Sequence, residues 1–212
     1  MKNYCIALCG KTGCGKSEIT KFLVEKYGFK EYSFGEPIRN LMKICLPNID
    51  YHTTPKARKA IIDIAEAPKK IAPKCWAYAL TERIIEDSCP NKIVISDLRF
   101  EIELEHLKET ICNPNFENYY KLALVHITCD FDRHTTILNN EKLLDKVINE
   151  KQLSEEDIKL SKELDEDPSN TEHMNFDFNY SYDNVNAEDP KRIARTLYHT
   201  YELETKYCID ND

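Results

Sequence analysis

Between residues 10 and 17 the chain reads Gly-Lys-Thr-Gly-Cys-Gly-Lys-Ser. Glycines at 10, 13 and 15 let the backbone curl without Cβ clashes, so that successive N–H groups converge on one point and hold an anion. Lys16 adds a point charge there, and the Ser17 hydroxyl is a ligand suited to Mg²⁺. The stretch fits G-x-x-x-x-G-K-[ST] at every position, through Gly10, Lys11, Thr12, Gly13, Cys14, Gly15, Lys16 and Ser17. This pattern cradles nucleotide phosphates when an apolar strand precedes it and a helix follows. Three of the chain's five glycines fall here, which weighs against an indifferent strand-to-helix turn.

A second constellation closes the run Asn91-Lys-Ile-Val-Ile-Ser-Asp97. Asp97 ends that run, where a carboxylate can hold Mg²⁺ opposite Ser17 directly or through water; a short Asp also suits a helix N-cap. Arg99 lies on the same rim. Its guanidinium can grip a phosphate bidentately, or pair with Glu103 one turn later. Arginine is scarce beside lysine in this chain. Arg39, Arg58 and Arg133 each fall just after a strand or at the start of a helix, within reach of a cleft at the strand ends, whereas Arg83, Arg192 and Arg195 read as surface residues. Phosphoryl transfer needs cations around the equatorial oxygens, in-line positioning and exclusion of water, and such a set supplies the cations.

These residues must be positioned by a recognisable alternation of elements. The apolar run Tyr4–Cys9 predicts a first strand, and the spacing of Ile19, Phe22 and Leu23 predicts a helix closed by Gly28. A short strand over 31–34 leads to a helix with Pro37 in its first turn, then to a helix opened by Thr54-Pro55. A proline-punctuated link over 67–73 precedes a helix over 75–86. Strands over 91–97 and 122–128, a helix from Glu101 to about Thr110, a last strand over 176–182 and a closing helix after Asp189-Pro190 complete the pattern. The charged segment 130–170 reads as two helices, around 137–150 and 154–164, and is a candidate lid. Strands alternating with helices imply an α/β fold, a doubly wound parallel five-stranded sheet, with ligands at the carboxyl ends of its strands.

Composition narrows the classes. At 212 residues the chain accommodates one α/β domain with an insertion, or at most two small domains, and 42% hydrophobic content supplies a core. A net charge of −8 argues against a general nucleic-acid or membrane-surface binder. No apolar run approaches a membrane span and no signal peptide is apparent, so the expectation is a soluble, cytoplasmic protein. The nine cysteines form no C-x-x-C pair and read as reduced structural thiols. Cys14 is the exception, expected to be exposed in the loop and activated by Lys16.

Most of the chain resembles the P-loop deoxynucleoside monophosphate kinases of phage and viral type, within the adenylate-kinase-like group. Ser33-Phe-Gly-Glu-Pro-Ile-Arg39 is similar to the family's S-F-A-x-P-L-K segment, and Thr54-Pro55 to Arg58 followed by Trp76 to its T-P-x-R region and later tryptophan. Val94-Ile-Ser-Asp97-Leu-Arg99-Phe100-x-x-Glu103 matches V-I-x-D-x-R-F-x-x-E, and Ser169 to Glu172 followed by Asp177 resembles the approach to the final strand. The resemblance implies one kinase domain over 1–212, with 36–88 as the acceptor region and 130–170 as the lid. It implies transfer of the ATP γ-phosphate, with Mg²⁺, to a nucleoside monophosphate in a monomer or homodimer. Arg39, Arg58 and Arg99 would face the acceptor phosphate, Trp76 would lie near the base and Arg133 would belong to the lid. Other small-molecule kinases, of the phosphomevalonate or dephospho-coenzyme A type, and a non-catalytic nucleotide binder are the alternatives.

Overall fold

The computed structural model describes residues 3–11, 13–47, 55–129, 176–184 and 189–207, with the side chains of 55, 58 and 201–207 outside that description. Five strands, β1 (Asn3–Cys9), β2 (Lys30–Tyr32), β3 (Lys92–Ile95), β4 (Tyr120–Thr128) and β5 (Tyr180–Asp183), form one sheet in the order β2-β3-β1-β4-β5. Every pairing is parallel, as strands joined by helical crossovers require. The helices among the described residues are α1 (Lys16–Tyr27), α2 (Glu36–Cys45), α3 (Pro55–Lys69), α4 (Cys75–Glu86), α5 (Glu101–Glu109) and α6 (Asp189–Tyr207). The doubly wound α/β architecture expected from the alternation is the one observed. None of the described helices is long and apolar enough to cross a membrane.

The central strand shows why the sheet is covered on both sides. All seven residues of β1 are buried, and their side chains alternate between two cores. Cys5, Ala7 and Cys9 join Ala77, Leu80 and Ile84 of α4 and Leu104 and Leu107 of α5. Ile6 and Leu8 join Ile19 and Leu23 of α1 and Ile193, Ala194 and Leu197 of α6. One strand therefore aligns two helix layers, and the loop that leaves its carboxyl end starts from a fixed point.

Several element boundaries differ from the sequence reading: β3 stops at Ile95 and β4 begins at Tyr120, and three further differences have a visible cause. α3 continues to Lys69 with Pro68 inside it, where 67–73 was expected to be a link. Pro68 falls in the final turn, so its missing N–H removes only a terminal bond, and its carbonyl accepts the N–H groups of Ile71 and Ala72 at 3.0 and 2.9 Å. The last strand is confined to 180–183. Ahead of it Asn179 holds Leu124 twice, its Oδ1 accepting the Leu124 N–H at 2.7 Å and its own N–H reaching the Leu124 carbonyl at 2.9 Å. Phe176 and Phe178 pack on the core, which explains the alternation that suggested a longer strand. β2 covers 30–32, because Ser33 to Gly35 turn away to bind Asp97. Thr12, Thr54, Arg133, the segment 130–170 and the 169–172 motif lie outside the described residues, as does the Arg58 side chain.

Candidate active site

The glycine-rich loop connects β1 to α1 and is clamped against β4. Gly10 has φ +139°, and a Cβ there would stand 2.3 Å from the Ile127 carbonyl oxygen, so only glycine permits the approach. Lys16 Nζ donates to the carbonyls of Gly10 at 2.6 Å and Lys11 at 2.8 Å, and lies 3.6 Å from Cys14 Sγ. Burial lowers the Lys16 pKa, and the Arg99 charge lowers it further against the opposing pull of Cys14 and Asp97. The N–H groups of Gly13, Gly15, Lys16 and Ser17 meet no acceptor among the described residues, as befits the open first turn of a helix. Ser17 is exposed at that turn. This donor set fits a phosphate chain: free N–H groups, a helix N-terminus and an ammonium on one concavity.

Cys14 corrects the expectation of an exposed thiol. It is 2% exposed and packs with Ile6, Leu8 and Ile19. The loop turns its backbone outward and its one apolar side chain inward, so the thiol works as a core anchor.

Asp97 leaves the end of β3, the strand beside β1, and its carboxylate organises the β2–α2 turn. Oδ1 accepts the Phe34 N–H at 2.8 Å; Oδ2 accepts the Ser33 hydroxyl at 2.6 Å and the Gly35 N–H at 3.0 Å. The Ser33 hydroxyl in turn accepts from Arg39 Nη2 at 2.6 Å. Asp97 is not the cap of α5, whose N-terminal boundary is Phe100. Its three bonds leave part of a carboxylate's acceptor capacity unused.

Arg99 and Glu103 are related otherwise than by the ion pair the spacing allows. Glu103 Oε2 accepts the backbone N–H groups of Arg99 at 3.0 Å and Phe100 at 3.1 Å. The Arg99 guanidinium has no hydrogen bond or ion pair among the described residues. Glu103 is 7% exposed, and burial pushes its pKa up to about 7 against the pull of those two N–H donors. A buried carboxylate thus holds the backbone of the D-x-R segment and leaves the arginine head available.

The remaining expected residues separate clearly. Trp76 joins α4 to α3, its indole N–H donating to the Ala65 carbonyl at 2.9 Å. Arg83, expected as a plain surface residue, pairs with Glu36 at the start of α2 and lies 5.8 Å from the Tyr32 ring centroid. Arg192 pairs with Asp189 within α6. Lys11 is exposed beside the loop. The structure brings together Gly10, Gly13, Cys14, Gly15, Lys16 and Ser17 on one strand end and Asp97, Arg99 and Arg39 around the next.

Two residues of this region escaped the sequence reading. Ser33 was noted only as part of a motif, yet it is the hydroxyl joining Asp97 to Arg39. Asn184 follows β5, and its Nδ2 donates to the Cys14 carbonyl at 2.8 Å across 170 residues. A small polar residue just past a strand is a weak signal, shared with most turns.

No protein-family model matches this sequence, and no curated protein matches it significantly. Solved structures do. A candidate kinase from Chloroflexus aurantiacus is 10% identical, with 95% of this chain and 97% of that one covered and a TM-score of 0.52. A gluconokinase from Sinorhizobium meliloti is 15% identical over 99% and 98% of the two chains, with a TM-score of 0.44. A dephospho-CoA kinase from Campylobacter jejuni is 15% identical over 97% and 100%, with a TM-score of 0.46. At such identities the likeness speaks of architecture, and the statement rests on the first. The described elements, with their parallel β2-β3-β1-β4-β5 sheet and glycine-rich loop after β1, share the α/β fold of that Chloroflexus aurantiacus protein.

Proposed function

We propose that this protein transfers the γ-phosphoryl group of ATP to a nucleoside or deoxynucleoside monophosphate, giving the diphosphate. The observation that carries the reading is the pairing of two cationic groups on adjacent strand ends. The loop after β1 offers Lys16 and free N–H groups to the donor phosphates. The segment after β3 offers an uncommitted Arg99, with Arg39 anchored beside it through Ser33. One cradle alone suits a nucleotide binder; a second cation set facing it suits a reaction between two phosphates. The motif resemblance over Ser33–Arg39 and Val94–Glu103 points to a monophosphate as acceptor.

Each group has a role that its chemistry allows. The loop N–H groups and Lys16 bind and orient the donor. Arg99, with its planar fork, holds the acceptor phosphate and balances charge spreading over the transferred group. Arg39 contributes from the acceptor side, and Arg58 and Arg133 join this set on the resemblance. Ser17 and Asp97 are the residues that would hold Mg²⁺, which supplies charge neutralisation between the donor phosphates. The segment 36–88 would form the acceptor pocket, with Trp76 shaping its wall, and 130–170 the lid.

The test is an ADP-release assay against ribo- and deoxyribonucleoside monophosphates, phosphomevalonate and dephospho-coenzyme A. Turnover on a monophosphate is expected, and Lys16→Ala should reduce it at least about a hundredfold while the chain stays folded. Turnover only on a non-nucleotide acceptor would replace the proposed substrate class. ATP binding without turnover on any acceptor would leave a nucleotide binder.

A further inference from the structure

We propose that Asn184 is a positioning residue for the phosphate cradle: its side-chain amide pins the Cys14 carbonyl and thereby aims the Gly15 N–H at the bound anion. The inference rests on the reading that the loop binds the phosphates of ATP.

The geometry begins with the peptide between Cys14 and Gly15. The described chain has no cis peptide bond, and a planar trans peptide carries its C=O and N–H on opposite sides. Fixing the carbonyl therefore fixes the N–H direction. Asn184 Nδ2 holds the Cys14 oxygen at 2.8 Å. Because a carbonyl can only accept, the amide must present its nitrogen there. The Gly15 N–H on the other side has no acceptor among the described residues.

Left to itself this peptide would be poorly defined. Gly15 has φ +89°, and a glycine can rotate its peptide between wells at little cost. The anchors around it lie in the sheet and in the core. The Asn184 backbone N–H donates to the Thr128 carbonyl at 2.8 Å, directly after the last β4–β5 pair, Thr128 with Asp183. On the other side of the same residue, the Cys14 side chain is buried among Ile6, Leu8 and Ile19. A Cβ on Gly15 would stand 2.1 Å from Asn184 Nδ2, so the missing side chain leaves the space that the amide uses. The arrangement lets the far edge of the sheet set the direction of one donor in the cradle.

The experiment compares the wild-type chain with Asn184→Ala and Asn184→Leu. Both remove the donor, and the second keeps most of the volume. Asn184 is half-buried, and its backbone rather than its side chain ties β5 to β4, so both variants should fold. Dissociation constants for ATP and for inorganic tripolyphosphate are measured by calorimetry, with the acceptor KM at saturating ATP and the melting temperature alongside. Both variants should bind ATP and tripolyphosphate about tenfold more weakly, the loss of one hydrogen bond to an aligned donor, with acceptor KM unchanged. Binding within twofold of wild type in both variants would overturn the role. So would a loss in Asn184→Ala that Asn184→Leu restores, since volume would then be what matters, or an equal loss for donor and acceptor. If the wild-type chain itself binds neither ATP nor tripolyphosphate, the phosphate-loop reading fails first and this role with it.

Discussion

Ser33 and Asp97 meet across 64 residues of sequence, the hydroxyl donating to the carboxylate at 2.6 Å while accepting from Arg39 at 2.6 Å. One oxygen thus carries a chain of hydrogen bonds from the strand end beside the phosphate loop to an arginine on α2. Such a relay, with ionised groups at both ends, is stronger than an ordinary neutral bond. Ser33→Ala should break it, destabilising the fold by about 1–3 kcal/mol. Arg39 and the turn before α2 should lose their fixed placement, so the acceptor KM should rise more than the ATP dissociation constant. Denaturant melts and steady-state kinetics with each substrate varied check both parts.

Arg99→Lys keeps the charge and removes the planar fork. Because the guanidinium has no partner among the described residues, the substitution should leave the melting temperature nearly unchanged. It should lower kcat/KM for the acceptor about ten- to a hundredfold, the worth of bidentate phosphate recognition. An unchanged kcat/KM would remove Arg99 from the site.

Glu103 makes stability depend on pH. Its pKa is about 7 in the folded chain against an ordinary 4.5, so between those values the native state keeps a proton that the unfolded chain has released. Stability therefore falls as pH rises through this window, by about 3 kcal/mol in full for a group this buried. Glu103→Gln retains a carbonyl acceptor for the Arg99 and Phe100 N–H groups and cannot ionise. It should match wild type near pH 5, exceed it near pH 8 and flatten the profile between. Urea denaturation at four pH values from 5 to 8 decides this.

Thiol labelling separates Cys14 from the exposed Cys45. An alkylating reagent should modify Cys45 rapidly in the native chain and Cys14 only at the rate of loop opening or unfolding, with ATP slowing it further. Peptide mapping after a timed quench reads both sites. Rapid native labelling at Cys14 would contradict its place in the core.

The parts of the site legible in sequence are those whose chemistry is local. Gly10 to Ser17 works as a contiguous loop between a strand and a helix, and Asp97 and Arg99 follow a strand of unmistakable apolar type. The alternation of elements likewise leads to the parallel sheet, because crossovers leave few topologies open. What could not be read depends on contacts between distant segments. Cys14 seemed exposed because loops usually are, and only the packing of α1 and α6 on β1 buries it. The 99–103 spacing allows a side-chain ion pair as the alternative to phosphate contact, whereas the Glu103 carboxylate binds two backbone donors that would otherwise be unpaired. Asn184 carries only the weak signal of a polar residue just past a strand, since its partner is 170 residues away.

The adjacency of β1 and β3 has a mechanical consequence. Parallel strands lie about 4.8 Å apart, and Ala7 is in register with Ile95, two residues short of both Cys9 and Asp97. The sheet is therefore a ruler between the donor loop and the carboxylate, graduated by hydrogen bonds rather than by side chains. On the proposed function, adjustment to different acceptors would fall to α2 and α3, whose described residues lie outside the two cores that pack on β1. A search for altered acceptor preference belongs in those helices, since substitutions along the ruler would shift both halves of the site together.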